Sequence, residues 1–139
     1  MGTYCRRAEY FICRIDVTPG YGDSVPRYAR GVDYSPKQVA ELLEQGDVQL
    51  IDVRTTAEVD AGRIAGGRHI ELTALQSEVD SIDRDRPVIF YCRSGGRSAM
   101  ATQVFAGAGF DAHNMSGGLL EWVADELPLD PPDGHVAEH

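Results

Sequence analysis

The segment Val88–Met100 reads VIFYCRSGGRSAM, and it decides the fold class of the chain. Its first four residues, Val88–Tyr91, form an unbroken apolar run, which is typical of a strand covered on both faces of a parallel sheet. Cys92 follows this predicted strand directly, and a glycine-containing loop leads into a predicted helix at Ser98. In open α/β sheets, ligands bind at the carboxyl ends of the strands. The segment therefore predicts a site that contains Cys92.

The loop after Cys92 has the composition of an anion-binding site. Adjacent glycines let the backbone turn tightly, so that successive N–H groups can point inward. The following helix N-terminus adds partial positive charge, and two arginines can add full charges. Ser98 can bind the anion or cap the helix. The candidate substrate-binding residues are Arg93, Ser94, Gly95, Gly96, Arg97 and Ser98.

In such a loop, Cys92 is the candidate catalytic residue. The thiolate is the attacking form of cysteine, and an ordinary thiol is only slightly ionised at neutral pH. Lowering the pKa by about 2 units corresponds to roughly 2.7 kcal/mol of preferential thiolate stabilisation, which loop amides and arginines can supply. The simpler alternative is an inert buried cysteine, since free cysteines are often core residues. The combination of strand, cysteine, glycine loop, arginine and helix favours the nucleophile.

Strands alternate with helices on both sides of this segment, which predicts an α/β fold with a parallel sheet. Capping boxes open two helices, at Ser35–Gln38 and Thr55–Glu58. The remaining patterns predict strands at 48–53, 68–70 and 112–115, and helices at 72–79, around 101–108 and at 119–123.

The chain divides into three predicted parts. Residues 33–130 form the folded domain, and 131–139 are polar and proline-rich, which predicts a flexible C-terminal tail. Residues 1–32 are an N-terminal extension of undecided structure, in which Tyr10–Val17 is rich in strand formers. This extension holds Cys5 and Cys13, which are incidental thiols or, if their segment covers the pocket, could resolve a covalent intermediate on Cys92.

Composition and charge limit the classes of partner. The net charge of -9 disfavours nucleic acid and anionic membranes, because phosphate contacts need clustered basic residues. No apolar run is long enough for a membrane span or a secretory signal, which predicts a cytoplasmic protein. Neither the three cysteines nor the four histidines have ligand spacing, so we expect no metal and no disulfide framework.

Asp52 and Arg54, at the end of the predicted strand 48–53, are candidate supporting residues. A carboxylate at that edge needs a partner, and either Arg97 or Arg54 can be that partner. Asp52 either holds the loop arginine in place or forms a purely structural pair. Arg54 faces the pocket mouth or solvent. Glu58 is better explained as the second half of its capping box than as a catalytic acid.

The chain resembles the rhodanese family from Ser35 to Pro131. The loop CRSGGRS fits the family pattern of cysteine, two variable residues, glycine, one variable residue, arginine and serine or threonine. The upstream block, with IDVR and GRIAGG, and the closing block, with MSGG, Trp122 and Pro128, occur in the expected order. Arg63, Gly67, His69 and Glu71 depart from the residues usual at those positions, all within the linker after the second predicted helix.

This resemblance implies a five-stranded, mostly parallel sheet with helices on both faces, a persulfide on Cys92, and no cofactor. The expected function is a sulfurtransferase that moves sulfur from a donor such as thiosulfate or a persulfide to a thiol or cyanide, or to a protein acceptor. A cysteine-dependent phosphatase or arsenate reductase is an alternative, although such phosphatases place five residues between cysteine and arginine, whereas four separate Cys92 from Arg97. A non-catalytic rhodanese-like interaction module is the third reading.

Overall fold

A computed structural model describes residues 33–138 of the 139-residue chain. From Asp33 onwards the described chain forms one compact unit. The expectations for Tyr10–Val17, Cys5 and Cys13 lie outside the described residues. None of the helices in the described part of the chain is long and apolar enough to cross a membrane.

The structure is a parallel sheet between helices, which confirms the predicted α/β fold. Within residues 33–138 the sheet has five strands in the order β1-β5-β4-β2-β3, and every neighbouring pair is parallel. The strands are β1 (Asp33–Tyr34), β2 (Gln49–Asp52), β3 (Arg68–His69), β4 (Val88–Tyr91) and β5 (Ala112–Met115). The helices are α1 (Pro36–Gln45), α2 (Thr56–Ala61), α3 (Gly96–Gly107) and α4 (Gly118–Ala124), and a 3-10 helix spans Leu72–Ser81.

Side chains of β4 alternate between two hydrophobic clusters, one on each face of the sheet. Val88 and Phe90 contact the cluster that includes side chains of α3 and the 3-10 helix. Ile89 and Tyr91 contact the cluster that includes side chains of α1 and α4. All four strand residues are fully buried. Helices therefore cover both faces, as the unbroken apolar run predicts.

Both predicted capping boxes are present. The Ser35 side chain accepts a hydrogen bond from the Gln38 N–H, and the Gln38 side-chain oxygen accepts one from the Ser35 N–H. Thr55 and Glu58 make the same reciprocal pair of bonds at α2. These reciprocal bonds satisfy N–H groups that the first turn of a helix leaves without partners. The helix starts were therefore readable from local sequence.

The segment after Asp130 lies against the domain at identified points, where a flexible tail was expected. Asp130 and Arg63 exchange backbone hydrogen bonds of 2.7 and 3.1 Å, and the His135 N–H donates to the Ala61 carbonyl at 2.9 Å. Val136 packs, partly buried, against the cluster beneath α1 and α4. The domain boundary at residue 130 remains a prediction, which truncation can test.

Candidate active site

The loop after β4 lies at the middle of the sheet, because β4 pairs with β5 on one side and β2 on the other. The start of α4, which follows β5, is hydrogen-bonded to this loop. The Leu119 N–H donates to the Cys92 carbonyl at 2.9 Å, and the Leu120 N–H donates to the Arg93 carbonyl at 3.0 Å. The segment that follows β5 thus holds the backbone of the loop that carries Cys92.

Gly95 gives the loop its tight turn. It precedes α3 as the N-cap residue with φ of 108°, in a region that side chains other than hydrogen rarely adopt. Gly96 has open space where a Cβ would lie and does not adopt a positive φ. Only the first glycine of the pair is needed for the turn. Ser98 lies within the first turn of α3, so its proposed role as the N-cap is wrong.

Cys92 Sγ accepts hydrogen bonds from the loop that encloses it. The Gly95 N–H donates at 3.1 Å, and the Ser98 hydroxyl lies at 3.5 Å. Burial alone would raise the pKa of the Cys92 thiol. Hydrogen bonds from the Ser98 hydroxyl and from three amides outweigh burial and hold the pKa below its ordinary value. The amides belong to Ser98, Gly95 and Ser94.

Cys92 lies at the floor of the loop, with only 1% of the residue exposed. Gly95 and Ser98 are buried beside it, whereas Ser94 and Gly96 at the rim are exposed. A reagent must therefore reach the sulfur past the rim, which restricts access to slender molecules. Reachability of Cys92 is consequently the first property that any catalytic proposal must satisfy.

Arg97 is bound by Glu58 on α2. Its Nη1 and Nη2 donate to Glu58 Oε1 and Oε2, both at 2.9 Å, in a bidentate pair. The Arg97 hydrogen bonds lower the pKa of Glu58 to about 2, against the opposing effect of burial, and Thr55 lowers it further. Glu58 is 2% exposed. Its capping role is confirmed, but sequence reasoning missed this second role because the two residues are 39 positions apart.

Arg93 differs from Arg97 in having no such partner. Within residues 33–138, its side chain makes no ion pair or hydrogen bond, and its Nε is buried without a partner. The side chain stands half-buried at the loop that holds Cys92. Arg93 is therefore the loop arginine whose charge is available to a ligand.

Asp52 and Arg54 form a buried pair with each other. Arg54 Nη2 donates to Asp52 Oδ2 at 2.6 Å and to the Gly62 carbonyl at 2.8 Å. Burial would lower the pKa of Arg54, but hydrogen bonds and charge from Asp52 outweigh it, so that the pKa is raised. Arg54 is fully buried, so the expectation that it faces the pocket mouth or solvent is wrong. Asp52 pairs with Arg54 and does not bind Arg97. Because Arg54 also donates to the Glu58 and Gly62 carbonyls, this pair links the end of β2 to α2.

Asn114 is a polar neighbour of the site that sequence reasoning did not identify. It lies in β5 opposite Phe90 of β4, is 5% exposed, and places Oδ1 2.6 Å from Ser98 Oγ. The available signal was an asparagine inside an otherwise buried strand that ends next to the cysteine loop. Buried amides need hydrogen-bond partners, and here the partner is a site serine.

A family model described as the rhodanese-like domain matches residues 35–125, which include every site residue described above. The chain belongs to this family. The rhodanese-like match runs from α1 through α4 and leaves out β1 and the last residues of the described chain.

Two curated relatives of this rhodanese-like chain are named as sulfurtransferases. The sulfurtransferase of Allochromatium vinosum is 34% identical over 94 residues, which cover 67% of this chain and 88% of that protein. The putative sulfurtransferase YtwF of Bacillus subtilis is 33% identical over 97 residues, covering 69% and 94%. At the level of the family, these relatives support sulfurtransferase activity.

Among solved structures, the rhodanese-related protein of Thermoplasma volcanium is similar in fold. It superposes with a TM-score of 0.66 at 23% identity, over 70% of this chain and 96% of that one. This likeness supports the rhodanese-like fold. The part of the chain that the structure describes holds no group of three or more His, Cys, Asp or Glu placed to bind a metal.

Proposed function

We propose that this protein transfers sulfane sulfur through a persulfide on Cys92. The observation that carries the proposal is the set of hydrogen bonds around Cys92 Sγ, which lowers its pKa despite burial. A thiolate is the form that attacks sulfur, and the same donors suit a negatively charged sulfur after transfer.

In the first half-reaction, the Cys92 thiolate attacks the outer sulfur of a donor such as thiosulfate. The S–S bond of thiosulfate breaks, sulfite leaves with the electron pair, and Cys92 becomes a persulfide whose terminal sulfur carries the negative charge. In the second, a thiolate or cyanide attacks that terminal sulfur. The acceptor becomes a persulfide or thiocyanate, and Cys92 returns as a thiolate.

Arg93 is the residue we assign to orientation of the anionic donor. Its guanidinium makes no ion pair among the described residues, whereas Arg97 is neutralised by a bidentate carboxylate. An arginine can bind two oxygens of a sulfonate-like group side by side. We assign Arg97 to holding the loop in place, because both of its terminal nitrogens already donate to Glu58 and are not available to a donor molecule.

The Arg97–Glu58 pair also argues against a phosphatase. A phosphoryl group carries its negative charge on three outer oxygens, and positioned cations must stabilise that charge. Here the loop arginine already donates to both carboxylate oxygens at 2.9 Å. The loop between Cys92 and Arg97 is one residue shorter than in cysteine-dependent phosphatases, which also argues against binding of a phosphoryl group. Sulfur transfer needs only that one sulfur atom enter the ring of donors.

Incubation of the full chain with thiosulfate, followed by intact mass and peptide mapping, tests the proposal. Wild type is expected to gain one sulfur on Cys92, and to release it to cyanide or a small thiol. Cys92→Ser should lose both steps, whereas Cys5→Ser and Cys13→Ser should keep them. Absence of added sulfur in wild type, or failure of a small alkylating reagent to modify Cys92, would overturn the proposal. Phosphate release dependent on Cys92 without sulfur transfer would replace it with the phosphatase reading.

A further inference from the structure

The Ser98 hydroxyl has three acceptors around it and only one hydrogen. Asn114 Oδ1 lies at 2.6 Å, the Gly95 carbonyl at 3.2 Å and Cys92 Sγ at 3.5 Å. A serine hydroxyl donates once and accepts at its lone pairs. The three contacts cannot all be hydrogen bonds donated by Ser98.

If the Asn114 oxygen faces Ser98, the closest acceptor takes the hydrogen. Cys92 Sγ then receives nothing from the hydroxyl that lies beside it. This consequence is unfavourable for a reactive thiolate, because the donor that lies beside the sulfur is then spent on another acceptor.

The two ends of a carboxamide have nearly the same shape, so the surrounding hydrogen bonds decide which end faces Ser98. If the nitrogen faces Ser98 Oγ at the same position, it donates, and the serine accepts through a lone pair. The hydroxyl hydrogen is then directed to the remaining acceptors. A thiolate is charged and the Gly95 carbonyl is neutral, so the bond to Cys92 is the stronger one.

We propose that Asn114 is a positioning residue, whose amide nitrogen donates to Ser98 Oγ and so aims the serine hydrogen at Cys92 Sγ. This inference rests on the proposed role of Cys92 as the reacting thiolate. Asn114 itself acts through Ser98 and touches no reacting atom. Asn114 lies on β5, whereas Cys92 follows the neighbouring strand β4, so two adjacent strands contribute to activation of the cysteine.

The sign of one pKa change tests the orientation. Asn114→Leu removes both ends of the amide while keeping a similar volume. If the nitrogen donates, its loss raises the Cys92 pKa, and alkylation by iodoacetamide at a fixed pH below that pKa becomes about tenfold slower for each unit. If the oxygen accepts, its loss frees the hydroxyl for Cys92 and lowers the pKa. A lower or unchanged pKa would overturn the proposal.

The measurement is the pH profile of Cys92 alkylation in the full chain, followed by peptide mass spectrometry so that Cys5 and Cys13 do not contribute. Asn114→Ala serves if the leucine variant does not fold, with the same expected sign. In a Ser98→Ala background, Asn114→Leu should leave the pKa unchanged, and a further rise would overturn the proposal.

Thr102→Val is the matched control. Thr102 is a buried hydroxyl residue one turn further along α3 that donates to the Ser98 carbonyl at 2.8 Å and makes no hydrogen bond to Cys92. Its removal should keep the alkylation profile, and a rise equal to that of Asn114→Leu would show that general loosening of α3 explains both. Because no sulfur donor is used, failure of wild type to form a persulfide would sink the proposed function and leave this test readable.

Discussion

The two arginines of the cysteine loop differ in what their charges are free to do. Arg97 shares its charge with Glu58, which is 2% exposed, whereas Arg93 has no ion-pair partner within residues 33–138. Local sequence could nominate both, because both lie within five positions of Cys92. It could not separate them, since the partner of Arg97 comes from a helix after a different strand.

Arg93→Ala should therefore weaken binding of an anionic donor more than of a neutral one. Loss of a charge-assisted hydrogen bond predicts about a tenfold rise in KM for thiosulfate, with little change for an uncharged organic trisulfide. Steady-state kinetics with both donors makes the measurement. Lys37→Ala removes the same charge from an exposed position on α1 and serves as the control. An equal rise in KM for both donors would contradict the assignment.

Glu58 links acid stability to the site. Its pKa is lowered from 4.5 to about 2, chiefly by Arg97, so the folded state favours the carboxylate. The resulting stability is fully present above the unfolded pKa of 4.5 and is lost as pH falls through about 2. We expect this part to be about 2 kcal/mol, because solvent at half-buried Arg97 screens some of the shift.

Glu58→Gln should flatten the fall in unfolding free energy between pH 4.5 and about 2. Urea unfolding at several pH values measures it. Glu78→Gln is the matched control, because Glu78 pairs with Arg68 at 3.2 Å but both side chains are nearly half exposed. Exposed pairs contribute little. The same acid profile for wild type and Glu58→Gln would contradict the expectation.

At the scale of elements, the sequence predicted those helices and strands whose formation depends on neighbouring residues in the chain. Capping residues marked the starts of α1 and α2, and the continuous apolar run Val88–Tyr91 marked β4. β1 has only two residues and no apolar run, so the residues alone did not indicate it, and the fifth strand came from the family resemblance. The sequence predicts a helix over 72–79, and the structure has a 3-10 helix over Leu72–Ser81.

Gly118 fixes α4 against the cysteine loop. A Cβ at this position would lie 2.6 Å from both the Cys92 and Arg93 carbonyl oxygens, and its φ is 61°. Gly118→Ala should destabilise the protein by about 2–3 kcal/mol and displace the loop, because rigid backbone lies on the other side of the clash. Urea unfolding and Cys92 alkylation measure the two effects.

Gly107→Ala gives the opposite expectation for the same chemical change. Gly107 ends α3 with nothing within 4 Å of an added Cβ. Alanine there should leave stability unchanged or raise it by about 0.5 kcal/mol through helix propensity. Similar destabilisation by both alanines would show that the close approach at Gly118 is not the cause.

At the scale of the whole molecule, the last segment contributes to the domain. His135 is bonded to the carbonyl of Ala61 at the end of α2, and Val136 covers part of a core cluster. Ending the chain after Asp130 should cost about 1–2 kcal/mol, from one hydrogen bond and partial burial of one valine. Removing only 137–139 should cost nothing measurable. Equal stability of both truncations to the full chain would support the flexible tail.

The recessed position of Cys92 constrains how sulfur could pass between this molecule and a larger one. Its sulfur lies below a rim of exposed loop residues, with 1% of the residue accessible. A cysteine set flush in another protein's face could not come within bonding distance without the two surfaces colliding. A macromolecular recipient would have to offer its thiol on a thin protruding arm, such as a chain terminus or a pantetheine-like tether.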